Sequence, residues 1–307
     1  MGNKGKDKAK KIKRKRRTLG QVYFDLLEQI KKNKKAYIVY LIINTSVIFA
    51  MIRSIIEGRW ENVATCLFAS ILLLLPPIIE KSLKINLPTT MEVVAYIFVF
   101  AVEILGEIGN YYERFPHWDT ALHTLNGFMF AAFGFCLVDI FNRHERFSFK
   151  LSAGYLAFVA FCFSMTIGVL WEFFEYSADH YLGLDMQKDT VVTSFNSVYL
   201  DENKSNTPIP VNDIKYTEVV YDGDKTFIIE GGYLDIGLED TIDDLLVNFI
   251  GAATFSLMGY VFIRFGGNSK IVENFVPVIE EDEDEAAKAA LKEEETNEEL
   301  EAYAEET

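Results

Sequence analysis

Apolar runs of about twenty residues recur along this chain, and they constrain its fold more than any other feature. A hydrocarbon core about 30 Å thick is crossed by roughly 20 residues at 1.5 Å per residue. Inside it every backbone N–H and C=O must be satisfied within the segment, so a run of this length and composition reads as a membrane-spanning helix. Six runs qualify, at about Ala36–Ile56, Val63–Ile79, Met91–Ile108, Thr120–Phe141, Ser152–Phe174 and Ile242–Phe265. Pro76-Pro77 should kink or stop the second near its end, because proline lacks the N–H that the helix ladder needs. Trp60, Tyr111, Tyr112, Trp118, Trp171 and Tyr176 stand at the edges of the runs, as interfacial aromatic belts do. The fold class expected is an all-α polytopic membrane protein, a bundle of about six transmembrane helices with a small extracytoplasmic β-rich insertion.

A chain that is 50% hydrophobic and still carries a net charge of −15 must segregate its charges, and it does. A basic block, Lys4 to Arg17 with Lys31, Lys32, Lys34 and Lys35, opens it, and an acidic block from Glu280 to Glu306 closes it. The basic block could be a nucleic-acid arm or a cytoplasmic anchor on anionic lipid headgroups. The apolar spans that follow at once favour the anchor, with no nucleic-acid partner, since each Lys or Arg near such a surface contributes about 1 kcal/mol. A secretory signal peptide is not expected, because the first apolar run starts only near Ala36 and no Ala-x-Ala-like site follows.

Orientation follows from the short connections. With the N-terminus inside, the inner segments carry Lys81 and Lys84, then Arg143, Arg146 and Lys150, then Arg264 and Lys270, whereas the outer short loops offer only Arg59 and Arg114. Both termini are therefore expected in the cytoplasm. The organisation reads as a basic cytoplasmic segment (1–35), a six-helix transmembrane domain (36–265) with an extracytoplasmic insertion (177–241), and an acidic cytoplasmic tail (266–307) too polar to fold alone. Within the insertion, Val191 to Phe195, Tyr216 to Tyr221 and Thr226 to Ile229 alternate like strands, and Asp222-Gly223 reads as a hairpin turn. Cys66, Cys136 and Cys162 all fall inside apolar runs, so no disulfide framework is implied.

Three spans carry polar side chains at helical spacing. Asp119 and His123 are four apart at the start of the fourth, followed by Asn126 and Gly127. Glu172 and Glu175 are three apart at the end of the fifth. Asp240, Asp244 and Asn248 recur every four residues at the start of the sixth, with Asp243 beside them and Gly251-Ala252 one turn on. The fourth span enters from outside, the fifth exits there and the sixth enters again, so the three stripes fall at one outer level. Ionisable groups in a bilayer face a bundle interior and pair with one another. The bland alternatives are that such acids reach the headgroups, and that Asp119 or Asp240 caps its helix. Glu103 and Glu107 share a face of the third span and offer a fourth wall. His117, His144 and His180 read as solvated loop residues, and Gly231-Gly232 and Gly266-Gly267 as turns.

Carboxylates with one imidazole suit a single divalent metal ion, hard oxygens favouring Mg, Mn or Ca and the imidazole admitting Zn or Fe. The candidate ligands are Asp119, His123, Glu172, Asp240, Asp244 and Asn248, with Glu175 as a catalytic general base. Specific zinc signatures are absent.

Asp119-Thr-Ala-Leu-His123, Trp171-Glu-Phe-Phe-Glu175 and Glu239-Asp-Thr-Ile-Asp-Asp244 with Asn248 and Gly251 resemble, in set and order, the YjdF-type family of bacterial integral membrane proteins, and are distantly similar to VanZ-like proteins. The resemblance covers roughly Met91 to Phe265. It implies a multi-pass protein of a bacterial plasma membrane, without an assigned activity. This chain departs from shorter members in its insertion, basic lead and acidic tail. Three functions stay open: a metal-dependent hydrolase acting on an envelope or lipid-linked substrate, a proton- or cation-coupled transporter, and a non-catalytic scaffold. The apolar cytoplasmic halves of the fourth and fifth spans favour a one-sided pocket over a transport path.

Overall fold

In the computed structural model, residues 19–143, 151–265, 270–275 and 278–279 are described. The opening basic block to Arg17, His144, Arg146, Lys150, Gly266-Gly267 and the acidic block from Glu280 lie outside these residues.

Helix α1 (Leu19–Lys32) leads into α2 (Lys34–Glu57) through Asn33, whose side chain accepts the Ala36 N–H and so caps α2. Gly58, at φ +73°, closes α2 with the left-handed conformation that glycine adopts without steric cost. The second expected span is broken. Helix α3 (Trp60–Leu72) ends just before the prolines, and α4 (Leu75–Leu83) begins with Pro76 and Pro77 in its first turn. A proline N–H is not missed there and its fixed φ suits a helix start, so the break precedes the prolines. Strand β1 (Ile85–Asn86) leads to α5 (Thr89–Val99), which runs on as a π-helix over Phe100–Ile108, and then to the single turn α6 (Tyr111–Arg114).

Helices α7 (Trp118–Arg143), α8 (Ala153–Leu182) and α9 (Leu238–Phe265) follow. Among the described residues, five helical stretches are long and apolar enough to cross a membrane: Lys34–Glu57, Trp60–Leu83, Trp118–Val138, Ala153–Leu182 and Leu238–Phe265. The third expected span is α5 with its π-helical continuation; α5 is 11 residues long and the π-helix 9, so neither alone is as long as those five. Large apolar side chains stay exposed around the outside, among them Ile42, Phe49 and Phe158. That pattern suits a surface whose solvent is lipid.

Two apolar cores result. The first joins α2, α3 and α5 around Tyr40, Val47, Cys66, Ala69 and Tyr96; the second joins α7, α8 and α9 around Ala131, Phe135, Ala160, Ala252 and Phe255. Serine 164 adds a buried bond across the second, its hydroxyl donating to the Gly127 carbonyl at 2.7 Å.

Helix α8 extends two turns beyond its expected end, to Leu182, with Gly183 (φ +67°) as its cap. Glu172 and Glu175 therefore sit inside a helix, not at its end. The non-helical insertion between α8 and α9 carries β2 (Thr190–Val192), β3 (Phe195–Ser197), a 3-10 turn over Val198–Leu200, β4 (Ile209–Val211), β5 (Tyr216–Tyr221), β6 (Lys225–Glu230) and β7 (Tyr233–Asp235). The β5–β6 hairpin turns at Asp222 and Gly223, both at positive φ, where the sequence places it. Strand β2 pairs antiparallel with β7, Val192 opposite Tyr233, and closes the insertion at its root. At the other end of the bundle, within the region expected as tail, α10 (Lys270–Phe275) packs Phe275 edge-on against Phe128, and β8 (Val278–Ile279) pairs with β1.

Candidate functional site

The first turns of α7 and α9 and the C-terminal part of α8 meet beside the insertion. His123 projects from α7 one turn after Asp119, and its Nε2 lies 3.5 Å from Asp119 Oδ1 and 3.5 Å from Asp244 Oδ2 on α9. Ligand atoms of Asp119, His123 and Asp244 lie within 4.8 Å of one another, and so do ligand atoms of Glu172, Glu175 and Asp244. Asp244 is common to both groups. Four of the five side chains are nine-tenths or more buried: Glu172 at 4%, Asp244 at 5%, Glu175 at 7% and His123 at 9% relative exposure. Asp119 is partly open.

The two glutamates are held on one side only. Trp171 Nε1 donates to Glu175 Oε1 at 2.8 Å, one turn apart on α8, which aims the carboxylate. Glu175 Oε2 and Glu172 Oε2 are buried and have no hydrogen-bond partner among the described residues. A buried oxygen left unsatisfied costs about 1–3 kcal/mol, more for a charged group, so two side by side point to something that meets them.

Above the carboxylates the start of the insertion forms a polar lid. Asp179 accepts the N–H groups of Met186 (2.6 Å) and Gln187 (2.8 Å), and Asp240 Oδ2 accepts that of Lys188 (2.9 Å). Gln187 is buried and its Nε2 donates to Thr241 Oγ1, with the Thr241 hydroxyl in turn against the Glu172 carboxylate. Lys188, whose amine donates to the Asp185 carbonyl, stands within electrostatic reach of Asp119 and Glu107. Tyr112 closes the side facing α5. Its ring packs on Gly106, where even a Cβ would lie 2.4 Å from it. Burial, then the charges of Asp119, Glu107, Glu103 and Glu175, push its phenol up.

Below, Asn248 locks the three helices through hydrogen bonds to Asn126 and Met165. It is 1% exposed, accepts from Asn126 Nδ2 and donates to Met165 Sδ, each at 3.5 Å. Its neighbours are glycines because nothing larger fits: a Cβ on Gly127 would meet the Asn248 carbonyl oxygen at 2.1 Å, and one on Gly168 would meet Asn248 Nδ2 at 2.6 Å. A Cβ on Gly251 would meet the Thr124 carbonyl oxygen at 2.0 Å. Small residues thus bring α7 and α9 into backbone contact, the usual device of packed membrane helices.

Of the residues singled out in the sequence, Asp119, His123, Glu172, Glu175 and Asp244 come together. Asp240 turns instead to the Lys188 backbone, and it is Asp235 that accepts the Glu239 N–H at the start of α9, so Asp240 is not that helix's cap. Asp243 points out to solvent. Glu103 is buried and Glu107 exposed behind Tyr112, outside both ligand groups. His117 is exposed, as is His180, whose ring stacks on Tyr176. Sequence reasoning missed Tyr112, Gln187, Lys188 and Thr241. Only Thr241 carried a signal, since it sits inside the Asp-Thr-x-x-Asp run.

A family model described as a predicted membrane protein, DUF2238, matches residues 37–265, and the YjdF-type resemblance of the three motifs fits it. An uncharacterized protein of Thermotoga maritima is 28% identical over 107 residues, which are 35% of this chain and 53% of that protein, so the chain spans about half the length of this relative. No solved structure matches.

Proposed function

We propose, for a chain that belongs to the DUF2238 family of predicted membrane proteins, that its outer polar pocket binds a divalent metal ion and uses it to activate water against an envelope or lipid-linked substrate. The observation that carries this reading is the spacing around His123. Ligand atoms about a tetrahedral ion at 2.0–2.2 Å stand roughly 3.3–3.6 Å apart, and both contacts of His123 Nε2 to carboxylate oxygen are 3.5 Å. Asp119, His123 and Asp244 hold the ion. Glu172 and Glu175 lie beside Asp244 on α8, and Glu175, oriented by Trp171, would take the proton of a water that the ion acidifies.

The pocket opens outward in a bacterial plasma membrane, with six spans, both termini cytoplasmic and the basic lead on anionic headgroups. Pairing of β1 with β8 supports this count, since residues 85–86 and 278–279 share one end of the bundle. With α5 and its π-helix as a span, four crossings separate the two strands and they fall on one side; without it, three would place them on opposite sides.

Protein purified without chelator should carry stoichiometric metal that His123→Ala loses while folding normally. If wild-type protein remains metal-free after metal is added back, the proposal is wrong.

One observation favours a proton-coupled transporter instead. Glu92, Tyr96 and Glu103 form a buried row on α5 and its continuation, running from a cavity of about 360 Å³ near Glu80 and Asn33 toward Tyr112, a polar path that the fourth and fifth spans lack. Under that reading Glu103→Gln abolishes proton flux in liposomes; under the hydrolase reading liposomes with wild-type protein show no flux above lipid alone.

A further inference from the structure

Asp244 belongs to two ligand groups, and each group has side chains that the other does not use. On one side stand Asp119 and His123; on the other Glu172 and Glu175, residues only 4% and 7% exposed, with one oxygen apiece buried and unpartnered among the described residues. One divalent ion beside Asp119, His123 and Asp244 leaves the glutamate pair unmet. Four carboxylates against one such ion also leave two negative charges in a buried pocket, whereas a second ion balances them.

We propose that the pocket holds two divalent ions bridged by Asp244, one on Asp119 and His123 and the other on Glu172 and Glu175, and that the group it acts on is a phosphate ester carrying an apolar tail. This rests on the metal reading above and changes one part of it: Glu175 becomes a ligand of the second ion, and the joint charge of the two ions replaces it in activating water. Ions about 3.5–4 Å apart clamp the attacking and leaving oxygens of an in-line displacement at a tetrahedral centre. Lys188 adds a fixed positive charge at the rim, and Phe173 and Phe174, exposed on α8 beside the glutamates, present an apolar face to the tail. In the reaction, water held by the ions gives one proton to solvent. Its oxygen lone pair forms the new P–O bond, the ester P–O bond breaks with its electrons on the alcohol oxygen, and that oxygen takes up a proton from solvent. The products are the free alcohol and the phosphate.

The test uses full-length protein in detergent, stripped with EDTA, loaded with Mn2+ and desalted, and read by elemental analysis and electron paramagnetic resonance. Two Mn per chain with an exchange-coupled spectrum is the expected result; coupling separates a bridged pair from ions scattered along the acidic tail. Glu175→Gln should keep one Mn and lose the coupling. Inorganic phosphate should change the coupled signal. A single uncoupled Mn in wild-type protein overturns the two-ion centre while leaving the one-ion reading standing, and no bound Mn overturns both. Two uncoupled ions, or coupling that survives Glu175→Gln, overturn the assignment to the glutamate pair. A coupled signal indifferent to phosphate overturns the substrate class. Should Glu175→Gln fail to fold, the wild-type stoichiometry and coupling decide alone.

Discussion

Replacing Gly251 by alanine tests whether the helix crossing sets the geometry of the pocket above it. The new methyl would lie 2.0 Å from the Thr124 carbonyl oxygen and 2.9 Å from the Phe128 amide nitrogen. Both are backbone atoms, so no side chain can swing aside. Restoring an ordinary contact requires α7 and α9 to part by roughly 1 Å, and overpacking of this kind costs about 1–3 kcal/mol. His123 and Asp244 face each other across the same two helices at 3.5 Å. Parting by that amount takes them beyond the span of one shared ion, and metal affinity should fall about 10–100-fold, as it does when ligand orientation is disturbed. The control is Gly154→Ala on α8, where the nearest atom to a new Cβ is 4.0 Å away. Thermal denaturation in detergent and metal titration of the two variants provide the measurement. Gly154→Ala should match wild type in both; if Gly251→Ala does too, the crossing does not control the site and the reasoning fails.

Asp240→Asn should retain metal, because that side chain serves the Lys188 backbone, whereas Asp244→Asn should lose it; elemental analysis of the pair separates a clamp from a ligand. Trp171→Phe frees Glu175 Oε1 and should cost about 1–3 kcal/mol of stability or the equivalent in metal affinity, read by the same titration, and an unchanged value would mean that the indole does not aim the carboxylate. In the insertion, the Ser205 hydroxyl and the N–H groups of Thr207, Ser205 and Asn203 hold the Asp201 carboxyl below its ordinary value of 3.8. A depressed folded value means that its contribution is present above about pH 4 and is lost as pH falls through the folded value. Protection from amide exchange at Asn203, Ser205 and Thr207, taken relative to the unstructured rate at the same pH, should therefore fall below pH 4, and Asp201→Asn should show lost protection already at neutral pH.

Much of this arrangement was legible before any coordinates, because the features that carry it are local. Apolar runs mark the helices, since no other backbone conformation satisfies itself in lipid. Parity of crossings puts Asp119, Glu172 and Asp244 at one level, and Asp222-Gly223 marks its hairpin through the positive φ it supplies. What escaped was set by tertiary contacts. Spacing put Asp240, Asp244 and Asn248 on one face, but only packing separates them, so that one clamps a loop, one joins the carboxylates and one locks the helices. Lys188 and Gln187 come from an irregular segment whose path depends on Asp179 and Asp240 together. Tyr112 passed as a belt aromatic because its seat on Gly106 joins two segments with no common periodicity. The apolar run understates the length of α8, because hydropathy falls at the polar residues while the helix runs on to its cap at Gly183.

Pairing of β2 with β7 brings Val192 and Tyr233 face to face across one rung of a ladder, about 5 Å apart. Everything from Thr193 to Gly232 thus leaves and returns through a single gap, like a drawer on a fixed frame. Such a stretch can be lengthened, shortened or exchanged for a two-residue turn without altering where α8 ends or α9 begins. The insertion is then the part of this protein free to diversify while the helices below keep their register, and it offers a ready port for a fluorescent or affinity module on an otherwise membrane-embedded chain.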